Sequence, residues 1–185
     1  MLKLTPKIAA YCLSEEGIVL EAYKDSEGIW TWAGGVTNAS GHIVFPRYKD
    51  SPQSLERCLE VTVWLMGQKY LPAVDRAFAG YALTEAQIAA ALSFHWNTGA
   101  ILRSSWVQMV KDGNLGAAED FLETHYTNGG DLAPRRLREA HLFFDNIWPD
   151  DLSCPAYPVA KPSYTPAFRR AKRIETLPIL EGMPL

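Results

Sequence analysis

The sequence has few cysteines, and none is grouped with others in a way that suggests a metal site. Three cysteines, Cys12, Cys58 and Cys154, are far apart in 185 residues, and the four histidines show no metal-binding spacing. The composition therefore favours reduced thiols. A bridge from Cys154 to Cys12 or Cys58 has no positive support, and no metal or other cofactor is expected.

Long apolar runs and a strong excess of one charge are also missing. No stretch approaches the ~20 apolar residues of a membrane span, and the N-terminus does not resemble a signal peptide. The formal net charge of −3 argues against nucleic acid as the default partner. We therefore expect a chain made in the cytoplasm without a signal peptide and without stable membrane insertion.

The first 45 residues predict one helix followed by a small sheet. Thr5-Pro6 is a helix-start signal and Gly17 a stop signal. Strand-forming residues separated by two turn clusters then predict two or three antiparallel strands between residues 19 and 45. A sheet of this size has to pack against helices to be stable.

The middle of the chain predicts helices. Ser51-Pro52 resembles a helix start, Pro72 should kink the long helix that follows, and Thr84 begins a capping box. Three more helical patterns follow, at about 104–111, 115–125 and 134–148. The prediction is an α+β fold: a small N-terminal lobe with a short antiparallel β-sheet, and a larger all-helical lobe joined to it by the long helix. The ligand cleft is expected between the lobes.

The last part of the chain, residues 149–185, is rich in proline and predicts a tail or strap across the surface. Its segment FRRAKR, residues 168–173, contains four basic residues. This segment is either a solvated basic patch or a tether to an anionic surface such as a cell wall.

Two acidic residues, Glu16 and Asp25, could form a pair that cleaves a glycosidic bond, although two acids nine residues apart are by themselves more ordinarily solvated surface residues. Such hydrolysis needs one protonated carboxyl to donate to the leaving oxygen and one carboxylate to activate water or attack the sugar. Glu16, at the end of the first helix, is the candidate acid, and Asp25 is the candidate carboxylate. Thr31 falls on the next predicted strand, where its hydroxyl could help to hold a water molecule.

The stretch EGIVLEAYKDSEGIWT, residues 16–31, resembles the catalytic signature of the phage-type lysozymes, glycoside hydrolase family 24. That signature has Glu, eight residues, Asp, five residues and Thr, which here are Glu16, Asp25 and Thr31. Further similar stretches are LTEAQIAAALSFHWNTGA, LRSSWVQMVKDGNLGAAEDFLE and GGDLAPRRLREAHLFF. The resemblance therefore assigns residues 1–148 to a lysozyme domain and leaves 149–185 as a tail outside it.

The resemblance implies a lysozyme-like fold and hydrolysis of the β-1,4 bond between N-acetylmuramic acid and N-acetylglucosamine in bacterial peptidoglycan, with inversion. It makes Glu16 the general acid, with Asp25 and Thr31 positioning the water. Trp96 and Ser105 become candidate substrate-binding residues, although core packing is the more ordinary role of Trp96. Arg135, Arg136 and Glu139 are better explained as a structural ion-pair network. An endolysin of this kind would be a monomer that reaches the wall in the periplasm through a holin-type membrane protein.

One departure from the family pattern leaves alternatives open. Many members have a histidine after the Thr-bearing strand, where this sequence has Val36 in the stretch AGGVT. This departure, together with the unusual loop from Asn38 to Asp50, keeps a wall-binding module without catalysis as an alternative. The unexplained tail keeps a second one, a muramidase attached to a virion or a secretion system. A transglycosylase outcome, in which no water is added, is disfavoured by the water-positioning pair Asp25 and Thr31.

Overall fold

The chain divides into two compact units in a computed structural model that describes residues 1–185. The first unit comprises Met1–Cys12 and Met66–Asp150, and the second comprises Leu13–Leu65 and Asp151–Leu185. The C-terminal residues therefore belong to the same unit as the predicted acid pair.

Eight α-helices and seven short strands form the two units. The helices are α1 (Pro6–Glu16), α2 (Leu55–Leu65), α3 (Leu71–Ala77), α4 (Glu85–Thr98), α5 (Ser105–Lys111), α6 (Leu115–Thr124), α7 (Ala133–Asp145) and α8 (Leu177–Glu181). The strands are β1 (Val19–Lys24), β2 (Trp30–Ala33), β3 (Val36–Thr37), β4 (Cys154–Ala156), β5 (Val159–Ala160), β6 (Thr165–Pro166) and β7 (Lys172–Ile174). None of the helices has both the length and the apolar composition needed to cross a membrane. The predicted α+β fold is confirmed.

The second unit is built around the antiparallel sheet β1-β2-β3. Trp32 on β2 is fully buried and its ring stacks on Tyr48 at 3.9 Å. Helix α2 lies against the same strand, where the Thr62 hydroxyl accepts a hydrogen bond from the Gly34 N–H at 3.4 Å. Val36, which stands where many family members have histidine, is fully buried opposite Trp32. Its apolar side chain therefore completes the core of this small sheet.

The C-terminal residues form a strap of short strand pairs. Strand β4 pairs with β7, and β5 pairs with β6, both antiparallel. A single parallel bridge joins Ala156 to Ile18, which lies just before β1. The strap thereby covers part of an edge strand whose N–H and C=O groups would otherwise be exposed.

All three cysteines are buried and free, and burial raises the pKa of Cys154 to about 12, so this thiol stays protonated.

The first unit is a group of helices around an aromatic core. Trp106 is fully buried and meets Phe94 and Phe143 edge to face, with ring centroids 5.6 and 5.1 Å away. The predicted capping box at Thr84 is confirmed, and helix α4 ends at Gly99 in the left-handed conformation. Such aromatic contacts fix helix orientation as well as burying apolar area.

Buried ionic groups lie between α4 and α7. The Glu139 carboxylate is completely buried and pairs with Arg135 at 3.0 Å and Arg136 at 2.9 Å, and it accepts a hydrogen bond from the Ser93 hydroxyl at 2.6 Å. The predicted structural ion-pair network is confirmed. Each charge depends on the others, because an ion buried without its partner is strongly unfavourable.

Two predicted helix boundaries were wrong. Helix α2 begins at Leu55 rather than at Ser51-Pro52, because Ser54 and not Ser51 caps it: the Ser54 hydroxyl oxygen accepts the Arg57 N–H at 3.2 Å. The preceding Gln53 N–H donates to the Leu20 carbonyl at 2.8 Å, so this segment pairs with the sheet. Helix α7 ends at Asp145, before Pro149, since Asn146 adopts a left-handed conformation with φ 57°. The long helix, for which a kink or a break is predicted at Pro72, is interrupted before that residue by a π-helical turn, Met66–Tyr70, and Pro72 lies in the first turn of α3.

Replacing Glu139 by Gln should lower the free energy of unfolding by about 3–5 kcal/mol, because two buried arginines lose their carboxylate. Urea unfolding measures this difference. Asp120→Asn on α6 is the matched control; the side chain is exposed, so the change should stay within about 0.5 kcal/mol. Equal stabilities of the two variants would contradict the role given to the buried network.

Candidate active site

Glu16 is the last residue of α1, and Gly17 turns the chain from this helix toward strand β1. Gly17 has φ +81°, and its N–H donates to the Leu13 carbonyl at 2.9 Å. A left-handed residue at this point is easiest for glycine. The Glu16 side chain is half-buried and therefore remains accessible to a ligand.

Asp25 lies in the turn after β1, where its carboxylate closes the turn. Its Oδ1 accepts hydrogen bonds from the backbone N–H of Glu27 at 3.0 Å and of Ile29 at 2.9 Å. Its backbone C=O also accepts from the Gly28 N–H at 3.0 Å. A side chain held by its own turn has little rotational freedom, so the position of the carboxylate is fixed.

Thr31 lies on β2 directly opposite Tyr23 of β1, which brings its hydroxyl to the Asp25 carboxylate. The Oγ1 atom is 3.2 Å from Asp25 Oδ2 and 3.1 Å from the carbonyl oxygen of Ile29. The one hydroxyl proton is donated to one of these acceptors at a time, and the oxygen lone pairs remain able to accept a hydrogen bond from water. Thr31 is 4% exposed, so this hydroxyl is held firmly.

The three predicted residues thus lie in one unit, and two of them line a common cavity. This cavity has a volume of about 310 Å³ and includes Glu16, Tyr23 and Asp25 in its walls. Burial raises the pKa of Tyr23, and the negative charges of Glu16 and Asp25 raise it further. Tyr23 therefore stays a neutral phenol close to both acids.

The sequence reasoning missed the residues that complete this cavity. Tyr157, Thr165, Pro166 and Phe168 of the C-terminal strap form its other wall. A proline-rich tail gives no periodic pattern from which its contacts could be inferred. The one local signal was the presence of three aromatic residues, Tyr157, Tyr164 and Phe168, in a segment otherwise rich in small, polar and basic residues.

The candidate sugar-binding residues Trp96 and Ser105 belong to the first unit. Trp96 is 9% exposed, and its ring centroid lies 4.5 Å from that of Tyr70, as the core-packing interpretation requires. Ser105 is exposed at the start of α5. Their contact with substrate stays a prediction.

Replacing Gly17 by Ala should destabilise the second unit and loosen the strap. The added Cβ would lie 2.7 Å from Tyr157 Cε2 and 3.1 Å from the Pro155 carbonyl oxygen, in addition to the cost of a left-handed alanine. Gly28→Ala is the control, since it has φ +77° but open space around the new atom. In urea unfolding, Gly17→Ala should lose at least about 1 kcal/mol more than Gly28→Ala. Equal losses of stability in the two variants would mean that Tyr157 and Pro155 of the strap do not restrict the side chain at position 17.

Known structures share this fold over most of the chain. An endolysin from Escherichia coli O157:H7 phage FAHEc1 is 23% identical, with a TM-score of 0.69 over 80% of this chain and 98% of that one. A P22 lysozyme mutant is 25% identical, with a TM-score of 0.63 over 77% and 99%. The muramidase domain of SpmX from Asticaccaulis excentricus is 21% identical, with a TM-score of 0.63 over 78% and 99%.

Among curated proteins, none matches the sequence. The family model described as phage lysozyme matches residues 13–139, a range that contains Glu16, Asp25 and Thr31. This match spans well over half of the chain. The chain therefore belongs to the phage lysozyme family and is a glycoside hydrolase of the lysozyme type.

Proposed function

We propose that the protein hydrolyses the β-1,4 bond between N-acetylmuramic acid and N-acetylglucosamine in bacterial peptidoglycan, with inversion at the sugar carbon. Glu16 is the general acid, and Asp25 and Thr31 position the attacking water. The observation that carries the proposal is the Thr31 hydroxyl 3.2 Å from Asp25 Oδ2, with Asp25 lining the same cavity as Glu16.

The two oxygens of Asp25 have different tasks in this proposal. Oδ1 accepts two backbone hydrogen bonds, which leaves Oδ2, beside the Thr31 hydroxyl, to receive the proton of the water. The backbone bonds keep the carboxylate oriented while its charge changes. A fixed carboxylate does not have to be reoriented at the moment of reaction, and this lowers the barrier.

In this proposal the reaction is a single displacement at the sugar carbon. Glu16 donates its proton to the glycosidic oxygen as the bond from that oxygen to the sugar carbon breaks. Water attacks the same carbon from the opposite face, and its proton passes to Asp25. The first product is the α-anomer of the new reducing end. This course requires the two carboxyl groups to be roughly 6.5–9.5 Å apart, so that a water fits between sugar and carboxylate.

The proposed biological setting is host-cell lysis by an endolysin. The family of the chain and its likeness to the phage FAHEc1 endolysin support it. In this setting a monomer is released by a holin-type membrane protein and acts on the wall in the periplasm. Residues 1–148 then form the catalytic domain, with residues 149–185 as the attached strap.

Glu16→Gln should lower the rate of wall clearing by at least about a hundredfold, because glutamine cannot protonate the leaving oxygen. The measurement is turbidity loss of Gram-negative cells stripped of their outer membrane. Glu15→Gln, one residue earlier on the same helical turn, is the matched control and should clear within about twofold of the native protein. Clearing by Glu16→Gln at the native rate would exclude Glu16 as the acid. Absence of clearing by the native protein would exclude the proposed activity itself.

Thr31→Val should lower the turnover number by at least about tenfold, while Thr31→Ser keeps the hydroxyl and most of the activity. Both variants keep a small side chain at this buried position, so the comparison isolates the hydroxyl. NMR of the fresh product should show the α-anomer first and mutarotation afterwards. A β-anomer as first product would indicate retention, and an anhydro sugar would indicate transglycosylation; either would overturn the water-positioning role.

A further inference from the structure

The cavity beside the acids has one wall that lies outside the family match. Glu16, Tyr23 and Asp25 fall inside residues 13–139, whereas Tyr157 and Phe168 come from the C-terminal strap. The strap therefore adds surface to the place where the proposed chemistry occurs. A cavity of about 310 Å³ is at the lower end of the roughly 300–1,000 Å³ found for small-ligand sites.

Hydrogen bonds on both sides of Ala156 hold the strap next to Glu16. The Ile18 N–H donates to the Pro155 carbonyl at 2.8 Å, and the Tyr157 N–H donates to the Ile18 carbonyl at 2.9 Å. Because Ile18 follows Glu16 so closely in the chain, the position of Tyr157 relative to the acid is set by backbone pairing. Tyr157 also closes over Gly17, whose missing Cβ leaves room for the ring.

A second attachment holds the strap at the other end of β1. The Lys24 N–H donates to the Tyr164 carbonyl at 2.6 Å, and Lys161 forms ion pairs with Glu21 and Asp50. The Lys161 ammonium and the Tyr164 hydroxyl hold the pKa of Asp50 below its usual value. The strap is therefore tied at both ends of β1, and its cavity-lining residues lie at or directly after these attachments in the chain.

Phe168 is a phenyl ring left exposed in this wall. It is 68% exposed, and its ring packs edge to face against Tyr157 at a centroid distance of 5.2 Å. Contiguous exposed apolar surface is typical of a ligand-binding groove, and the Phe168 and Tyr157 rings lie side by side in this wall. The flat face of an aromatic ring suits the apolar face of a pyranose ring or an acetamido methyl group.

We propose that Tyr157 and Phe168 form a sugar-binding wall that contacts an N-acetylated sugar ring of the glycan strand next to the scissile bond. This inference rests on the proposed muramidase function and names the contacts that give the protein affinity for the glycan strand. Arg169 and Arg170, which directly follow Phe168, have exposed basic side chains. They place positive charge beside the wall, where it can attract the negatively charged peptidoglycan. Arg173 is already engaged by Asp151 at 2.8 Å.

The opposing interpretation is that Phe168 blocks the cavity. A ring that binds sugar and a ring that excludes it predict opposite effects of the same substitution. Phe168→Ala should raise KM about tenfold and leave kcat within about twofold if the ring contributes binding. If the ring blocks the acids, the same variant should have a lower KM or a faster reaction.

The experiment uses the full chain and soluble glycan strands from peptidoglycan freed of stem peptides. KM and kcat are measured for the native protein, Phe168→Ala and Phe168→Tyr, with Ile147→Ala as a control that removes another exposed apolar side chain. Phe168→Tyr keeps the ring and should restore the native KM. Thermal unfolding verifies that each variant is folded, which is expected because Phe168 is mostly exposed.

Binding is measured separately by calorimetry in the Glu16→Gln background, so that it does not depend on turnover. Adding Phe168→Ala should raise the Kd for the glycan strands about tenfold, and adding Phe168→Tyr should leave it unchanged. An unchanged Kd, or tighter binding by the alanine variant, would overturn the sugar-binding wall even if the enzyme is active. Conversely, an inactive native protein that still binds glycan through Phe168 would overturn the proposed hydrolysis and leave the wall intact.

Discussion

Hydrogen bonding along both edges of strand β1 is the constraint that determines the candidate site. On one edge, pairing with β2 places Tyr23 opposite Thr31 and so brings the Thr31 hydroxyl to the turn that contains Asp25. On the other edge, Ile18 exchanges hydrogen bonds with the C-terminal strap directly after Glu16 and Gly17. A shift of one residue in either pairing would reverse the side-chain faces, so the positions of the acids, the hydroxyl and the aromatic wall depend on the local register of each pairing.

The site also shows how a small sheet can carry fixed polar groups. Three short strands alone would be marginally stable, and here they are supported by buried Trp32, by helix α2 and by the strap. Asp25 takes its orientation from the backbone N–H groups of its own turn, so its position does not depend on a distant side chain.

The strap has two consequences: it pairs with an edge strand of the sheet, and it forms part of the cavity wall near the acids. It satisfies backbone groups along an edge strand that would otherwise be a site for association with other chains. The same pairing delivers Tyr157 and Phe168 to the cavity that contains Glu16 and Asp25. A segment added beyond the family's matched range thereby contributes to the surface around the acids.

Local sequence was enough to predict the helix that ends near Gly17, the small antiparallel sheet and the capping box at Thr84. These features follow from residue preferences and short spacings, which a sequence displays directly. The path of the segment before α2 and the path of the strap depend instead on partners that are distant in the chain. The Gln53 N–H pairs with the Leu20 carbonyl just before α2 begins, and Ile18 pairs with the strap at Pro155 and Tyr157. Backbone hydrogen bonds of this kind are available to almost any residue, so they leave no pattern in the sequence and are fixed only when the sheet has formed.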